Sequence, residues 1–284
     1  MRRFLTGAAA MLALLALTPS PPAAAAGTVC PRIIAHRTLM LQRPENTIPG
    51  IQAVPATGAD GVEMDVQWSS SSFPVLMHDA TVDRTTNGTG TPASLGLGDL
   101  RALSAADFSP WNTSAYGGFN ADGSAKTPVP YGWEFMNAVS SEGLDTLLDI
   151  HAVPTQLGTQ KLRTYVSDYF GWTAHTIVMA PVDQVTAMHA WWPEATYAVI
   201  EYNGSSTIRR GESITASGAT VYVVPARDVT AAAVAYWHAY GLIVYAWSTD
   251  STAIDVAATW HSLIADGVDG LITNHPGDAR SALC

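Results

Sequence analysis

The chain has 284 residues and a formal net charge of −10, from 24 acidic and 14 basic side chains. Hydrophobic residues make up 48% and charged residues only 13%, which excludes a disordered chain and supplies enough apolar material for one large core. The acidic balance argues against nucleic acid and anionic membrane surfaces as partners, since both require a basic face.

The first 26 residues read as a secretory signal peptide. Arg2 and Arg3 form a basic start, Leu5 to Leu17 is an apolar run too short to span a bilayer, and Pro19 to Ala26 ends in small residues suited to cleavage. Losing this segment removes two arginines and no acids, taking the charge from −10 to −12. The mature chain is then expected over 27–284, secreted, with no stable membrane anchor. Its two cysteines, Cys30 and Cys284, stand at its two ends. Export permits a disulfide between them, provided the fold brings the ends together, as a closed barrel does; two free thiols are the alternative.

Apolar and β-branched runs then recur as expected strands at 32–37, 61–68, 74–78, 145–151, 176–180, 196–202, 220–225, 243–248 and 270–274. Their continuous apolar character predicts buried parallel strands. Helices are expected between them at 46–57, 131–142, 155–170, 181–192, 228–240 and 251–266, with Gly143, Gly241 and Gly267 placed to end three of them. Alternation over this length predicts an α/β fold, the (β/α)8 TIM barrel, with a doubly wound open sheet as the alternative. Residues 80–130, rich in Thr, Gly, Ser, Asn and Pro, break the alternation and are expected to form a small insertion over one barrel face.

Four of the expected strands end in ionisable residues: His36-Arg37, Glu63 with Asp65, His78-Asp79, and Asp149 with His151. Residues i and i+2 of a strand share a face, so Glu63 and Asp65 point one way, as do Asp149 and His151. In a barrel such residues meet at the C-terminal mouth. Three carboxylates gathered there repel one another unless a cation is present, and an all-oxygen donor set suits one divalent cation, Mg2+ or Ca2+.

The runs IIAHR…RPENT, GADGVEMDV and VLMHDATVDRTTNGTG, followed by LLDIH, VYAWS and GVDGLITNHP, resemble the glycerophosphodiester phosphodiesterase family from about Arg32 to Pro276. The resemblance implies a barrel with a small insertion and metal-dependent hydrolysis of a glycerophosphodiester, such as glycerophosphocholine or glycerophosphoethanolamine, to glycerol phosphate and an alcohol. It implies Glu63, Asp65 and Asp149 as metal ligands, His36 and His78 as the acid/base pair, and Arg37 as the phosphate holder. The chain departs from the family pattern in TIVMAP at 176–181, which lacks the usual Ser-Phe, and at three positions near the expected site. Asp149 stands where the family commonly has Glu, His151 where a Lys is common, and Thr38 where a Gly usually follows the Arg.

Further candidates come from the residues themselves. Trp247 is a candidate wall of the substrate pocket, and Glu201 a candidate for selecting a cationic head group. Glu45 and Asn46 either reach the site or serve the start of the next helix. The small-molecule substrate is the only partner expected, for a monomeric enzyme. The competing activity is a phospholipase D-type cleavage of lysophospholipids or sphingolipids, with Phe108, Trp111, Tyr116, Phe119, Tyr131 and Trp133 forming an apolar entrance. A non-catalytic barrel is the third reading.

Overall fold

The computed structural model describes residues 30–202, 210–248 and 254–284. The expected signal peptide and the first residues of the helix expected at 251–266 lie outside the described residues. Among the described residues the strands are β1 (Arg32–Ala35), β2 (Gly61–Trp68), β3 (Pro74–Leu76), β4 (Asp145–Ile150), β5 (Thr176–Ala180), β6 (Thr196–Ile200), β7 (Val221–Pro225), β8 (Ile243–Trp247) and β9 (Gly270–Thr273). They run in the order β1-β9-β8-β7-β6-β5-β4-β2-β3, and pairing of β1 with β2 closes the ring. Eight of them are parallel staves of a (β/α)8 barrel.

The ninth corrects an expectation. β3 pairs antiparallel with β2, through Val66 with Leu76 and Trp68 with Pro74. Only residues 69–73 separate the two strands. A parallel return needs a crossover of a dozen or more residues, whereas a tight turn suffices for an antiparallel one. Ser69 N–H donates to the Phe73 carbonyl at 2.9 Å to close that turn. His78 therefore enters the barrel mouth from a hairpin laid beside β2, not from the end of a stave.

Helices follow the staves: α1 (Ile48–Ala53), α2 (Leu97–Ala102), α3 (Gly132–Glu142), α4 (Gln156–Arg163), α5 (Val182–Trp191), α6 (Gly211–Ala216), α7 (Ala231–Ala239), α8 (Ala257–Ala265) and α9 (Pro276–Leu283). The segment expected as one helix at 155–170 is α4 continued by a wider π turn over Thr164–Tyr169. α2, α6 and α9 were not expected from the sequence. Gly143, Gly241 and Gly267 take φ of 68°, 74° and 98°, the left-handed conformation that ends helices.

Strand alternation divides the core in two. Ile34, Leu147, Met179, Ala198, Ile200, Val221, Val223, Tyr245 and Ile272 fill the barrel. Their neighbours, among them Ile33, Val62, Met64, Leu148 and Val244, face the helices, where Phe135, Trp192 and Trp237 pack. The residues between β3 and α3 carry a small core of their own, in which Met77, Val82, Leu100, Ala105 and Val129 pack with Val75 of β3. This gives the expected insertion a fixed shape despite its weak periodicity. Asn87 helps to set it by accepting the Ser104 N–H at 2.9 Å. Cys30 and Cys284 are bridged, with Cα atoms 5.4 Å apart across a sequence separation of 254. Closure of the barrel is what brings them together, since β1 and β9 are adjacent staves.

Candidate active site

Register places the acids. β2 and β4 pair so that Asp65 lies beside Asp149 and Glu63 beside Leu147. Alternation turns all three carboxylates inward and sends Val62, Met64, Val66, Leu148 and Ile150 to the helices. Glu63, Asp65 and Asp149 are each 5% exposed or less, and one oxygen from each lies within 4.8 Å of the others. Glu63 Oε1 is buried without a hydrogen-bond partner, while its Oε2 accepts the Arg37 backbone N–H at 2.8 Å. A buried anion with an idle lone pair costs free energy unless a cation completes it. Three hard oxygen donors gathered this closely fit a divalent cation such as Mg2+ or Ca2+.

The electrostatics agree. Burial, then the charges of Asp65 and Asp149, raise the Glu63 carboxyl well above the usual carboxylate range. Burial works against the charged form of Asp65 too, but its hydrogen bond from His151 and the nearby Arg37 outweigh it and hold this carboxyl low. Asp65 Oδ1 lies 2.9 Å from His151 Nε2, and its Oδ2 accepts from Asn46 Nδ2 at 2.6 Å. Asp149 Oδ2 lies 3.2 Å from the same His151 Nε2, and its Oδ1 accepts the Tyr202 hydroxyl at 2.6 Å. Burial disfavours a charged His151, yet Asp149 and Asp65 prevail and push its pKa up to about 11. His151 thus sits as a cation between two carboxylates.

The two other histidines are held at Nδ1. His36 follows β1 and hydrogen-bonds through Nδ1 to Asn274 Oδ1 at 2.7 Å. An amide oxygen only accepts, so Nδ1 carries the proton and Nε2 keeps its lone pair. Burial, and then the Arg37 charge, push the His36 pKa down to about 4. Asn274 is fixed in turn by its backbone N–H to Asp255 Oδ2 at 2.8 Å. His78 Nδ1 lies 2.7 Å from Asp79 Oδ1, and Arg84 holds the Asp79 carboxyl down at about 2. Gln67 Nε2 donates to the carbonyls of His78 and Asp79, tying this pair to β2.

Arg37 stands on a strained turn. Arg37, Thr38 and Leu39 have φ of 47°, 58° and 79°. Three successive left-handed residues without a glycine cost on the order of 1–3 kcal/mol each, strain that clusters at functional sites. Thr38 therefore adopts the backbone that a glycine takes most readily, and Gly50 of α1 permits it, since a Cβ there would collide with Thr38. Arg37 Nε lies 3.5 Å from Asp65 Oδ2 and makes no hydrogen bond, and Nη1 lies 3.7 Å from Glu45 Oε1. Arg84 grips Glu45 through Nη1 at 2.9 Å and Nη2 at 2.6 Å, and Asp79 through Nε at 2.5 Å.

All eight sequence-predicted site residues, His36, Arg37, Glu63, Asp65, His78, Asp149, His151 and Trp247, line one cavity of about 430 Å³ at the barrel mouth. Met40, Met179, Ile200, Tyr202, Ile272 and Asn274 complete its wall. Glu201 is buried and is not part of that wall; its carbonyl accepts from Trp247 Nε1 at 3.2 Å. Phe108, Trp111, Tyr116, Phe119, Tyr131 and Trp133 also lie outside it. Tyr202, Asn274 and Arg84 were missed. Arg84 carried a signal, standing inside the quoted run after His78; Tyr202 and Asn274 each ended an expected strand, as the chosen residues do.

The sequence profile of the glycerophosphoryl diester phosphodiesterase family matches residues 36–278. The chain belongs to this family. Its members are phosphoric diester hydrolases, and its barrel is the fold described above. The human glycerophosphodiester phosphodiesterase 1 is 41% identical over 100 residues, a match covering 34% of this chain and 30% of the human protein. A putative glycerophosphodiester phosphodiesterase of Bacillus subtilis is 26% identical over 246 residues, covering 86% of this chain and 94% of that one. Among solved structures, an Oleispira antarctica phosphodiesterase in complex with the product sn-glycerol-3-phosphate superposes with a TM-score of 0.76 at 21% identity, covering 89% of this chain and 97% of that one. A putative glycerophosphoryl diester phosphodiesterase from Silicibacter pomeroyi gives 0.75 at 20%, over 89% and 93% of the two chains.

Proposed function

We propose that the chain hydrolyses soluble glycerophosphodiesters to glycerol phosphate and an alcohol at this cavity. The observation that carries the reading is the buried, partnerless Glu63 Oε1 beside Asp65 and Asp149, in the cavity that His36, Arg37 and His78 also line. Family membership and the glycerol phosphate bound by the Oleispira relative support the substrate class.

Glu63, Asp65 and Asp149 would hold one divalent cation, Mg2+ or Ca2+, which supplies positive charge opposite the oxygens of the reacting phosphate. Arg37 holds the phosphodiester, its fork suited to two phosphate oxygens at once. His36 keeps a bare Nε2 at neutral pH and takes the proton from the attacking hydroxyl. His78, with Nδ1 donated to the Asp79 carboxylate, gives a proton to the leaving alkoxide from Nε2. The attacking group is the glycerol hydroxyl next to the phosphate, giving a cyclic phosphate that water then opens. His151, between Asp65 and Asp149, acts in phosphate or leaving-group recognition, and Trp247 walls the cavity against the head group. The protein works as a secreted monomer; the N-terminal sequence supports export, and the Cys30–Cys284 bridge fits an oxidising compartment.

The test is glycerol phosphate release by the purified chain from glycerophosphocholine, glycerophosphoethanolamine and a lysophospholipid, with Mg2+, Ca2+ or chelator. Metal-dependent release from the soluble diesters is expected. Cleavage of the lysophospholipid alone would replace the reading with the phospholipase D-type activity. No cleavage by the metal-loaded chain would remove the reading altogether. An analogue without the neighbouring hydroxyl should resist, and cleavage at the normal rate would rule out the cyclic step.

A further inference from the structure

A second group of donors adjoins the three acids. One ligand atom each of Asp65, His78 and His151 lies within 4.8 Å of the others. The rings of His78 and His151 have centroids 4.5 Å apart. His151 Nε2 stands 2.9 Å from Asp65 Oδ1. Two donors bound to one zinc at about 2.0–2.2 Å each are separated by roughly 3 Å or somewhat more, so this spacing needs little adjustment. His78 is also prepared in the manner of a metal-binding imidazole: Nδ1 is engaged by the Asp79 carboxylate at 2.7 Å, which fixes the ring and leaves Nε2 for the cavity. Arg84 locks Asp79 in that position through two of its nitrogens.

We propose that Asp65, His78 and His151 form a second metal position, selective for a borderline transition-metal ion such as Zn2+. Two imidazoles and a carboxylate suit such an ion better than Mg2+ or Ca2+, which take oxygen donors. The two positions share Asp65, so the second lies beside the proposed catalytic one. Binding displaces to solvent the Nε2 protons of His151 and of His78, the latter being the proton that His78 gives as general acid, and the two freed lone pairs go to the ion. The site itself stands on the donor geometry alone. Its consequence rests on the function proposed above: with His78 bound to Zn2+ the general acid is lost, so Zn2+ inhibits an enzyme that Mg2+ or Ca2+ activates.

Zn2+ affinity of the metal-free protein is measured by competition with a chromophoric chelator, for the native chain and for His78→Gln and His151→Lys. His151→Lys keeps a cation between Asp65 and Asp149 while removing the imidazole. Each variant should bind Zn2+ at least about tenfold more weakly, and His78→Gln should retain its Mg2+ affinity. Unchanged Zn2+ affinity in both variants would overturn the site. X-ray absorption on the Zn2+-loaded native chain guards against misfolded variants: two imidazole ligands are expected, and an all-oxygen shell would overturn the proposal. Metal-dependent diester cleavage with an all-oxygen zinc shell would refute this site alone. Two imidazole ligands with no cleavage of any diester would refute the proposed function and leave this site standing.

Discussion

Asn46 clasps Asp65 from both sides: its Nδ2 donates to Asp65 Oδ2 at 2.6 Å, and its Oδ1 accepts the Asp65 backbone N–H at 3.0 Å. Asp65 lies on β2 and Asn46 in the turn before α1, with φ of 56°, a left-handed backbone that Asn tolerates better than most residues. The amide supplies both the donor and the acceptor that this clasp needs, which a carboxylate does not. Asn46→Asp would place a second anion against Asp65 and remove its donor. A hydrogen bond to a charged group contributes about 1.5–3 kcal/mol. Metal affinity should fall at least about tenfold, as it does when such outer partners are lost. Calorimetric titration with Mg2+ and Ca2+ checks this; unchanged affinity would reduce the clasp to a structural contact.

Arg84 ties the His78 arm to the Arg37 arm. It holds Asp79, the partner of His78, and Glu45, the neighbour of Arg37. Arg84 itself does not line the cavity. Arg84→Ala should therefore lower kcat by roughly tenfold, the lower end of what loss of an outer-sphere partner costs, with the fold intact by circular dichroism. Arg84→Lys cannot serve both carboxylates with one ammonium and should recover little. Wild-type kcat in both variants would show that His78 and Arg37 are held by other contacts.

With His36 as the base proposed above, its protonation sets the acid limb of the pH profile. Burial and Arg37 push its pKa down to about 4, against 6.5 for an ordinary imidazole. A base stays competent until it is protonated, so kcat/KM on glycerophosphocholine should hold through pH 6.5 and fall only as pH approaches about 4. The same shift acts on stability. In the unfolded chain His36 protonates near the ordinary value, in the folded chain only near about 4, so acidification between the two favours unfolding. A limb near pH 6.5 would take the base role away from His36.

The Cys30–Cys284 bridge closes a loop spanning 254 residues. In the chain-entropy account a loop this long contributes about 5 kcal/mol by restricting the unfolded chain. Cys30→Ser with Cys284→Ser should lower the denaturation midpoint while leaving kcat unchanged, because neither cysteine lines the cavity. Equal midpoints with and without reductant in the native chain would show the bridge to be energetically idle.

The eight staves, the fold class and eight of the residues that line the cavity were legible in the sequence. Their signals are local: an apolar run marks a buried strand, and a two-residue spacing fixes a shared face wherever the strand lies. The direction of β3 was also written in the chain, in the five residues between Trp68 and Pro74, and apolar content alone obscured it. What the sequence left open depends on contacts between distant residues. The roles of Glu45 and Asn46 were undecided because the partners that settle them, Arg84 and Asp65, lie 39 and 19 positions away. Tyr202 reaches Asp149 across 53 positions, and Asn274 reaches His36 across 238.

The sequence alone determined which residue types stand at the strand ends, and hence that acids, imidazoles and a guanidinium would meet wherever those ends converge. Only the closed barrel decided how they meet. Stave register set Asp65 beside Asp149, and closure brought Asn274 to His36 and Cys284 to Cys30. The packing of the mouth placed the His151 imidazole between two carboxylates. Local sequence fixes side-chain chemistry and facing, whereas distance, burial and charge pairing between elements arise only when the ring of strands closes.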